Sequence, residues 1–244
     1  MRKDDLRVIG FAATVCLVCS LVLSATAQLL SDRQAREVEL FRKTNVLLAF
    51  GVNVRDEAGR RISSDEVDRF FADHISEIFI DRETGSVLEG VTEIPPSERR
   101  ARTILDRSVL PLYIWKDDGE VTRYAFPTSG MGLWSVLYGF VAIDRDLETI
   151  IGLTFYDHGE TPGLGGEASE PWFMNQFSNK RFFADGQLQR IEVVKGGVAA
   201  RYPDGSDHAV DGISGATITG DGITTFLNRD LYYYNRFFAT LRES

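Results

Sequence analysis

An uncharged apolar segment near the N-terminus constrains this chain more than any other feature. Residues 8–31, VIGFAATVCLVCSLVLSATAQLLS, contain no charged side chain. As an α-helix the segment would be about 36 Å long, which is enough to cross a hydrocarbon core of about 30 Å. The sequence therefore predicts a membrane-spanning helix over residues 8–31, with residues 1–7 before it and a body of residues 32–244 after it.

A cleavable signal peptide is the alternative to a retained anchor. Residues 25–27, Ala-Thr-Ala, look like a signal-peptidase site, and three basic residues precede the apolar segment. The segment is longer than the usual apolar region of a signal peptide, about 7–15 residues, and polar helix-forming sequence continues directly from it, which favours an anchor. Basic residues stand on both sides of the span, so the positive-inside rule leaves the orientation open.

Charge and cysteine content exclude other classes of protein. The formal net charge is −9 and no basic run exceeds two residues, which argues against a nucleic-acid partner. Cys16 and Cys19 both lie in the span, so the body has no thiol, as suits an oxidising compartment. Their CxxC spacing supplies too few ligands for zinc, which favours packing in a membrane helix.

The first half of the body has a helix pattern followed by strand patterns. A capping box at Ser63 and Glu66 begins a helix whose apolar spacing runs through Phe79. Strand-like runs follow at LYIWK, VTRYAF, LYGFVAI, TIIGLTFY and RIEVVK, and Asp118-Gly119 is a turn between the first two.

Two further helices complete the predicted body. Pro171 suits the first turn of a short helix with Trp172, Phe173 and Phe177 on its apolar side, and Asp221 is a suitable N-cap for a final amphipathic helix. The elements together predict one α+β domain, in which helices flank a mixed or antiparallel sheet.

Three glycine-rich loops interrupt the predicted sheet. SGMGLW at residues 129–134 indicates either a ligand-binding loop or a bulge with a core tryptophan. HGETPGLGGE at residues 158–167 suits a loop wrapped around a planar ligand. Its His158 and Glu160 are candidates for an acid/base pair, but they are too few for a metal site, and a hydrogen-bonded loop histidine is favoured. The loop lacks the helix and lysine of a dinucleotide or P-loop motif.

The third loop is DGISGATITG at residues 211–220. Its small residues leave the hydroxyl of Thr217 uncrowded, either as a nucleophile or as a point of attachment. No base is adjacent and no GxSxG elbow is present. Taken alone, the loop is better explained by a turn, a short ATIT strand and the cap at Asp221.

Together these motifs resemble the C-type membrane subunits of the sodium-translocating NADH:quinone oxidoreductase. The motifs are TSGMGLWSVLYGFVAI, FYDHGETPGLGGE and DGISGATITG, in this order, and with the N-terminal span the resemblance covers nearly the whole chain. The same type of FMN-binding domain occurs in the G-type component of the Rnf electron-transport complex. The first two motifs look closer to the sodium-pump family.

The resemblance implies a covalently attached FMN. DGISGATITG looks like the family's flavinylation signal, D-x-x-(S/T)-G-A-T, whose last threonine carries FMN through a phosphodiester. Asp211, Ser214, Gly215 and Ala216 match the signal, and the acceptor position falls on Thr217. A separate flavin transferase would recognise this signal, including Asp211, and would deliver FMN from FAD.

The resemblance also implies roles for the other loops around the flavin ring. The isoalloxazine would lie between the loop that carries Trp134 and the loop Thr161–Gly165. Leu164 would lie against one face of the ring and Thr161 at its polar edge. Lys195 would stand near the part of the ring that becomes negative on reduction. The residues expected around the ring are Trp134, Thr161, Gly163, Leu164, Gly165 and Lys195.

The function implied is that of an electron-transfer subunit of a sodium-translocating NADH:quinone reductase. It would pass electrons one at a time between redox centres of neighbouring membrane subunits, without itself binding NADH, quinone or sodium. Residues 1–7 would be cytoplasmic, residues 8–31 would cross the inner-membrane bilayer, and residues 32–244 would form a periplasmic FMN domain. The alternatives are a G-type Rnf subunit, a membrane-anchored FMN-binding regulator, and an exported protein without a cofactor.

Overall fold

The computed structural model describes residues 3–55 and 59–243 of the chain. The chain divides into two compact units, Met1–Arg42 and Lys43–Ser244. The first helix, α1 (Lys3–Ala49), contains the apolar segment Ile9–Ser31, with a mean hydropathy of 2.1 and no buried side chains. A helix is therefore confirmed over residues 8–31, it is long and apolar enough to cross a membrane, and the polar sequence after it continues as helix.

The second helix, α2 (Ser64–His74), has the predicted start but ends earlier than predicted. The Oγ of Ser63 accepts a hydrogen bond from the N–H of Glu66 at 3.3 Å, and the Glu66 carboxylate accepts the N–H of Ser63 at 2.8 Å. The prediction that the helix continues through Phe79 was wrong, because β1 (Ile75–Asp81) follows immediately. Ladder pairing of Ile75 with Trp115 outweighs the helical spacing of the apolar residues.

A six-stranded sheet forms the centre of the body. Its strands lie in chain order and every neighbouring pair is antiparallel. The tight turn predicted at Asp118-Gly119 is confirmed, because both residues have positive φ, at 49° and 85°, as a two-residue hairpin requires. After β1 the strands are β2 (Val109–Asp117), β3 (Glu120–Met131), β4 (Val136–Asp144), β5 (Thr149–Asp157) and β6 (Lys180–Arg181).

Short elements connect this sheet to the last helix. Pro171 is the first residue of α3 (Pro171–Met174), as predicted. Of the three residues predicted on the apolar side, Phe173 and Phe177 are buried, whereas Trp172 is half-exposed. The strands β9 (Glu192–Val194) and β10 (Ala209–Asp211) form a separate parallel pair. The remaining elements are β7 (Phe183–Ala184), β8 (Gln187–Leu188), α4 (Val198–Arg201) and the 3-10 helices Ile104–Asp106, Gly165–Ser169 and Asn175–Phe177. The predicted α+β class is confirmed.

The final helix, α5 (Thr217–Glu243), packs on the sheet and positions the candidate site. It begins four residues before Asp221, so the prediction that Asp221 caps it was wrong, and the ATIT sequence is not a strand, because it runs into the helix. The ring of Tyr234 stacks on Phe126 of β3 at 4.0 Å between centroids, and its hydroxyl donates to the carbonyl of Pro111 at 2.9 Å. These buried contacts fix the helix against the face of the sheet.

A buried carboxylate makes a second connection between α5 and β3. Asp230 accepts hydrogen bonds from the hydroxyl of Thr128 at 2.7 Å and from the N–H of Ser129 at 3.0 Å, and it pairs with Arg229. Burial raises the pKa of Asp230 to about 6, although Arg229 and the two hydrogen bonds oppose this shift. The network holds α5 beside the last residues of β3. The prediction of a loop over all of SGMGLW was wrong in its first half, because Ser129–Met131 pair with β4 and the loop begins at Gly132.

Candidate functional site

A cleft of about 460 Å³ lies at the start of α5. It contains all five residues that match the flavinylation signal, together with Lys195. Parallel pairing of Val194 with Asp211 explains this arrangement, because it places the ends of β9 and β10 side by side. The lining residues are Val193, Lys195, Gly196, Gly197, Asp211, Gly212, Ile213, Ser214, Gly215, Ala216, Thr217 and Gly220.

Thr217 is the first residue of α5 and is exposed in the cleft. Gly215 makes the turn before it with a φ of 76°, a backbone conformation that glycine adopts without strain. The N–H of Gly220 donates to the carbonyl of Ala216 at 3.0 Å at the start of the helix. The N–H groups of a first helical turn have no partner within the helix, and they carry the positive end of the helix dipole. The hydroxyl thus lies where a phosphate is favoured.

Asp211 has a local role in shaping the cleft. Its carboxylate accepts the N–H of Val198 at 2.6 Å, and its own N–H donates to the side chain of Gln176 at 2.8 Å. These bonds fix the Gly196-Gly197 turn that forms one wall of the cleft. The other signal residues differ in exposure, since Ser214 and Gly215 are exposed and Ala216 is buried.

The second glycine-rich loop lies against the same turn, outside the set of residues that line the cleft. The carbonyl of Thr161 accepts the N–H groups of Leu164 at 3.1 Å and Gly166 at 3.0 Å. Gly163, within this turn, has a φ of 74°. Leu164 is 43% exposed, and a Cβ on Gly215 would come within 2.9 Å of its Cδ2. The loop residue expected to face a flavin ring is therefore a direct neighbour of the Thr217 turn.

The side chain of Trp134 is 70% exposed, so the alternative of a core tryptophan was wrong. It lines a different pocket, of about 380 Å³, together with Arg102, Tyr138 and His158. The structure does not bring Trp134 into the Thr217 cleft. The prediction of a hydrogen-bonded loop histidine at His158 is confirmed. Its Nε2 lies 3.0 Å from the Oγ of Ser169, and its Nδ1 accepts the N–H of Glu160 at 3.3 Å.

Glu160 is a site residue whose role sequence reasoning missed. Only 5% exposed, it accepts hydrogen bonds from the N–H groups of residues 133–135 and from the hydroxyl of Thr219 on α5. Burial raises the pKa of Glu160, but these hydrogen bonds outweigh burial and hold it below its ordinary value. The available signal was an acidic residue near the start of a glycine-rich loop, and beside His158 it suggested acid/base chemistry.

Among the residues that the structure describes, the potential metal ligands do not assemble a metal centre. In residues 3–55 and 59–243, no group of three or more His, Cys, Asp or Glu side chains is arranged to hold a metal ion. The acid/base pairing considered for His158 and Glu160 is not formed by their side chains, because the imidazole accepts the backbone N–H of Glu160. The carboxylate instead binds donors from two other segments.

Comparison with known proteins adds an independent line of evidence. The FMN-binding domain family matches residues 132–231, which include the second and third glycine-rich loops and the end of the first. The chain is 35% identical to NqrC, the C-type component of the Na(+)-translocating NADH-quinone reductase, of Yersinia pestis, over 88% of this chain and 84% of that protein. It is 34% identical to the corresponding protein of Vibrio alginolyticus, over 89% and 86% of the two chains.

Solved structures of similar proteins have the same fold. The crystal structure of NqrC from Shewanella oneidensis matches with a TM-score of 0.69 and 27% identity, covering 87% of this chain and all of that one (100%). The crystal structure of the corresponding reductase component from Parabacteroides distasonis matches with a TM-score of 0.68 and 30% identity, covering 85% and 96%.

Proposed function

This chain belongs to the NqrC family of the Na(+)-translocating NADH-quinone reductase, and from that premise we propose that it relays electrons one at a time through a covalently bound FMN. FMN would be linked to Thr217 by a phosphodiester. The chain would thus be one subunit of an oxidoreductase complex, and the complete reaction would need the other subunits.

The observation that carries this proposal is the exposed hydroxyl of Thr217 at the positive end of α5, in one cleft with Lys195. A phosphate attached there would be near the N–H groups of the first helical turn. The Lys195 ammonium adds positive charge to the same cleft, and the Asp211 carboxylate in the lining is bound by the N–H of Val198, so the residues present suit an anionic ester. The cleft volume of about 460 Å³ also lies within the range of cofactor sites, about 300–1,000 Å³.

The attachment step balances with FAD as donor. The Thr217 oxygen forms a bond to the phosphorus on the flavin side of the FAD pyrophosphate. The bond between that phosphorus and the bridging oxygen breaks, AMP leaves, and the hydroxyl proton passes to solvent. No electron is transferred in this step. The acceptor hydroxyl must reach the active site of a separate flavin transferase, and the exposure of Thr217 on a turn of small residues permits that approach.

Bound FMN supplies one-electron and two-electron chemistry, while this chain provides its surroundings. Leu164 offers an exposed apolar side chain directly beside the turn that precedes Thr217. Thr161, Gly163 and Gly165 would present backbone donors near the ring. Trp134 would approach the ring by its exposed indole. We assign these contacts to the holo protein.

The apolar part of α1 supports a place in the membrane. Its 23 residues from Ile9 to Ser31 have no buried side chains, so a bilayer would remove that apolar surface from water. We assign residues 1–7 to the cytoplasm and the flavin domain to the periplasm. Contact with other subunits of the complex would then bring their redox centres near the flavin. The extent of the match to the NqrC relatives favours this assignment over a G-type Rnf subunit or a regulator.

The test is expression of the full chain, with and without a flavin transferase, in a host that exports it. We expect flavin fluorescence that survives denaturation, and a tryptic peptide containing Thr217 that carries the mass of FMN less one water. Thr217→Ala should abolish both signals. The matched control is Thr225→Ala, an exposed threonine two turns further along α5, which should keep both. An unmodified Thr217 peptide in the presence of an active transferase would refute the proposal.

A further inference from the structure

We propose that Glu160 is a positioning residue that locks residues 132–135, the Trp134 loop between β3 and β4, to the first turn of α5 and thereby sets the geometry of the flavin site. The role of this bridge toward the flavin rests on the proposed function, whereas the bridge itself is a property of the protein without flavin. It is formed by one carboxylate between two segments that are far apart in the sequence, residues 133–135 and Thr219.

The carboxylate of Glu160 uses both oxygens as acceptors. Oε1 accepts the N–H groups of Trp134 at 2.8 Å and Ser135 at 3.0 Å. Oε2 accepts the hydroxyl of Thr219 at 2.7 Å and, more weakly, the N–H of Leu133 at 3.3 Å. Three successive N–H groups converging on an anion form a nest, and Glu160 fills this nest from within the protein. The backbone that carries the exposed indole is therefore fixed at three consecutive residues.

Two glycines enclose the bridge and leave it no room to move. A Cβ on Gly165 would lie 2.5 Å from Oε2 of Glu160 and 2.7 Å from the Oγ1 of Thr219. A Cβ on Gly132 would lie 2.8 Å from Oε1. The glycines on both flanks thus allow the backbone to close over the carboxylate. Such close packing transmits a displacement of the carboxylate directly to the loops.

The α5 end of the bridge acts on the flavin acceptor through helix geometry. Thr219 is 0% exposed and Thr217 is exposed. Residues two apart on a helix point to different sides, so fixing Thr219 inward directs Thr217 outward into the cleft. One carboxylate consequently fixes both the loop that presents Trp134 and the rotation of the turn that presents the acceptor hydroxyl.

An ionised carboxylate suits this position better than an amide. The groups that Glu160 contacts in residues 133–135 and at Thr219 are all donors, and a carboxylate is an acceptor at both oxygens. A glutamine would have to direct its NH₂ group at two backbone N–H donors or at the Thr219 hydroxyl. The Thr219 hydroxyl can accept the NH₂ group, but the Leu133 N–H on the same side cannot, and the charge is lost in either orientation. Glu160→Gln therefore conserves size but weakens the bridge, and Thr219→Val removes one donor from the other end without changing the volume.

The experiment uses the full chain in detergent and two independent ways of breaking the bridge. The variants are Glu160→Gln and Thr219→Val, with Thr219→Ser as a rescue that keeps the hydroxyl. The matched control is Glu167→Gln on the same loop, where the carboxylate accepts a hydrogen bond from the indole N–H of the half-exposed Trp172 at 3.0 Å. Hydrogen exchange of the peptide spanning residues 132–136 is measured without flavin. The rate of FMN attachment by a flavin transferase and the midpoint potential of the product are then measured.

Loss of a hydrogen bond to a buried charge predicts a change of about tenfold. We expect exchange in residues 132–136 to become about tenfold faster and attachment about tenfold slower in Glu160→Gln and Thr219→Val. We also expect a shifted midpoint potential. Thr219→Ser and Glu167→Gln should keep wild-type values in all three measurements. Rescue by serine distinguishes positioning through the hydroxyl from a general loss of packing.

The possible outcomes separate this inference from the proposed function. Unchanged exchange in both Glu160→Gln and Thr219→Val overturns the bridge. Faster exchange with an unchanged attachment rate and potential overturns its role toward the flavin. A wild-type chain that accepts no FMN refutes the proposed function and the bridge's flavin role, while the exchange measurement still decides whether Glu160 holds the loop. Should Glu160→Gln fail to fold, Thr219→Val and its serine rescue decide the same question.

Discussion

Substitution of Gly222 by alanine tests whether the close approach of α5 to the end of β3 maintains the domain. In a helix interior, alanine is normally favoured over glycine by about 1 kcal/mol. At this position the new Cβ would lie only 2.2 Å from the carbonyl oxygen of Met131. That oxygen belongs to the backbone of a paired strand and cannot rotate away. Relief of the contact requires α5 and the strand to separate by about 1 Å.

The magnitude follows from these opposing effects. Overpacking a well-packed interior costs about 1–3 kcal/mol, and a backbone obstacle places Gly222→Ala at the upper end. After subtraction of the propensity gain, we expect a net loss of about 2 kcal/mol. For a domain of this size, that loss lowers Tm by about 4–8 °C.

The assay is thermal unfolding of the full chain in detergent, followed by tryptophan emission. The chain has three tryptophans, Trp115, Trp134 and Trp172, and all lie in the unit Lys43–Ser244. Gly220→Ala is the control, because it makes the same change in the same helix against a Val193 methyl at 3.0 Å. We expect this control to stay within about 0.5 kcal/mol of wild type. Equal stability of the two variants would refute the steric reasoning.

Three other perturbations address different parts of the domain. Because the pKa of buried Asp230 is raised from 3.8 to about 6, the folded state binds its proton more tightly than the unfolded state. The free energy of unfolding of wild type, relative to Asp230→Asn, should therefore rise by up to about 3 kcal/mol as pH falls from about 7 to about 4. Urea unfolding at several pH values measures it, and a relative stability that falls with falling pH would contradict this. Phe126→Ala removes the ring stacked on Tyr234 and should cost about 3–5 kcal/mol in urea unfolding, so a loss below about 1 kcal/mol would show that the stack is not structurally important. Lys195→Gln removes a positive charge from the Thr217 cleft, and because that charge favours the reduced flavin, the midpoint potential should fall by the equivalent of about 1 kcal/mol. An unchanged or higher potential would exclude Lys195 from the surroundings of the ring.

The sequence predicted element types better than element ends. The capping box at Ser63 and Glu66 determined the start of α2 because its bonds are local. The end at His74 could not be predicted, because the apolar residues that follow suit either a helix face or a strand. Their pairing with β2 decides the outcome, and that pairing joins Ile75 to Trp115, which is far along the chain.

The start of α5 was misplaced for a related reason. Asp221 is a favourable N-cap residue and the preceding Gly220 is a poor helix former, so the sequence favoured a helix that starts at Asp221. In the structure Gly220 and Gly222 both lie in the helix, and their missing side chains make room for Val193 and the carbonyl of Met131. Long-range packing of this kind leaves no signal in a local pattern.

The candidate site was predicted in part. Residues 211–217 are contiguous, so their convergence followed from a single motif, and Lys195 joined them through the parallel pairing of β9 and β10. The exposure of Trp134 remained open, since the sequence allowed both a core residue and a ligand contact. The bridge made by Glu160 was missed, because its donors come from two segments that only the tertiary fold brings together.

Four glycines of this domain, three in the first two glycine-rich motifs and one in α5, serve close packing. At Gly130, Gly132, Gly165 and Gly222, an added Cβ would come within 2.2–2.6 Å of another heavy atom. The obstructing atoms belong to α5, to the Glu160 bridge and its surroundings, or to the strand end beneath the helix. Loops packed this tightly cannot adjust independently, because a shift in one displaces the others. The acceptor turn at Thr217 and the Trp134 loop therefore share α5 as one frame. It follows that Gly222→Ala, although outside the cleft lining, should change FMN attachment as well as stability.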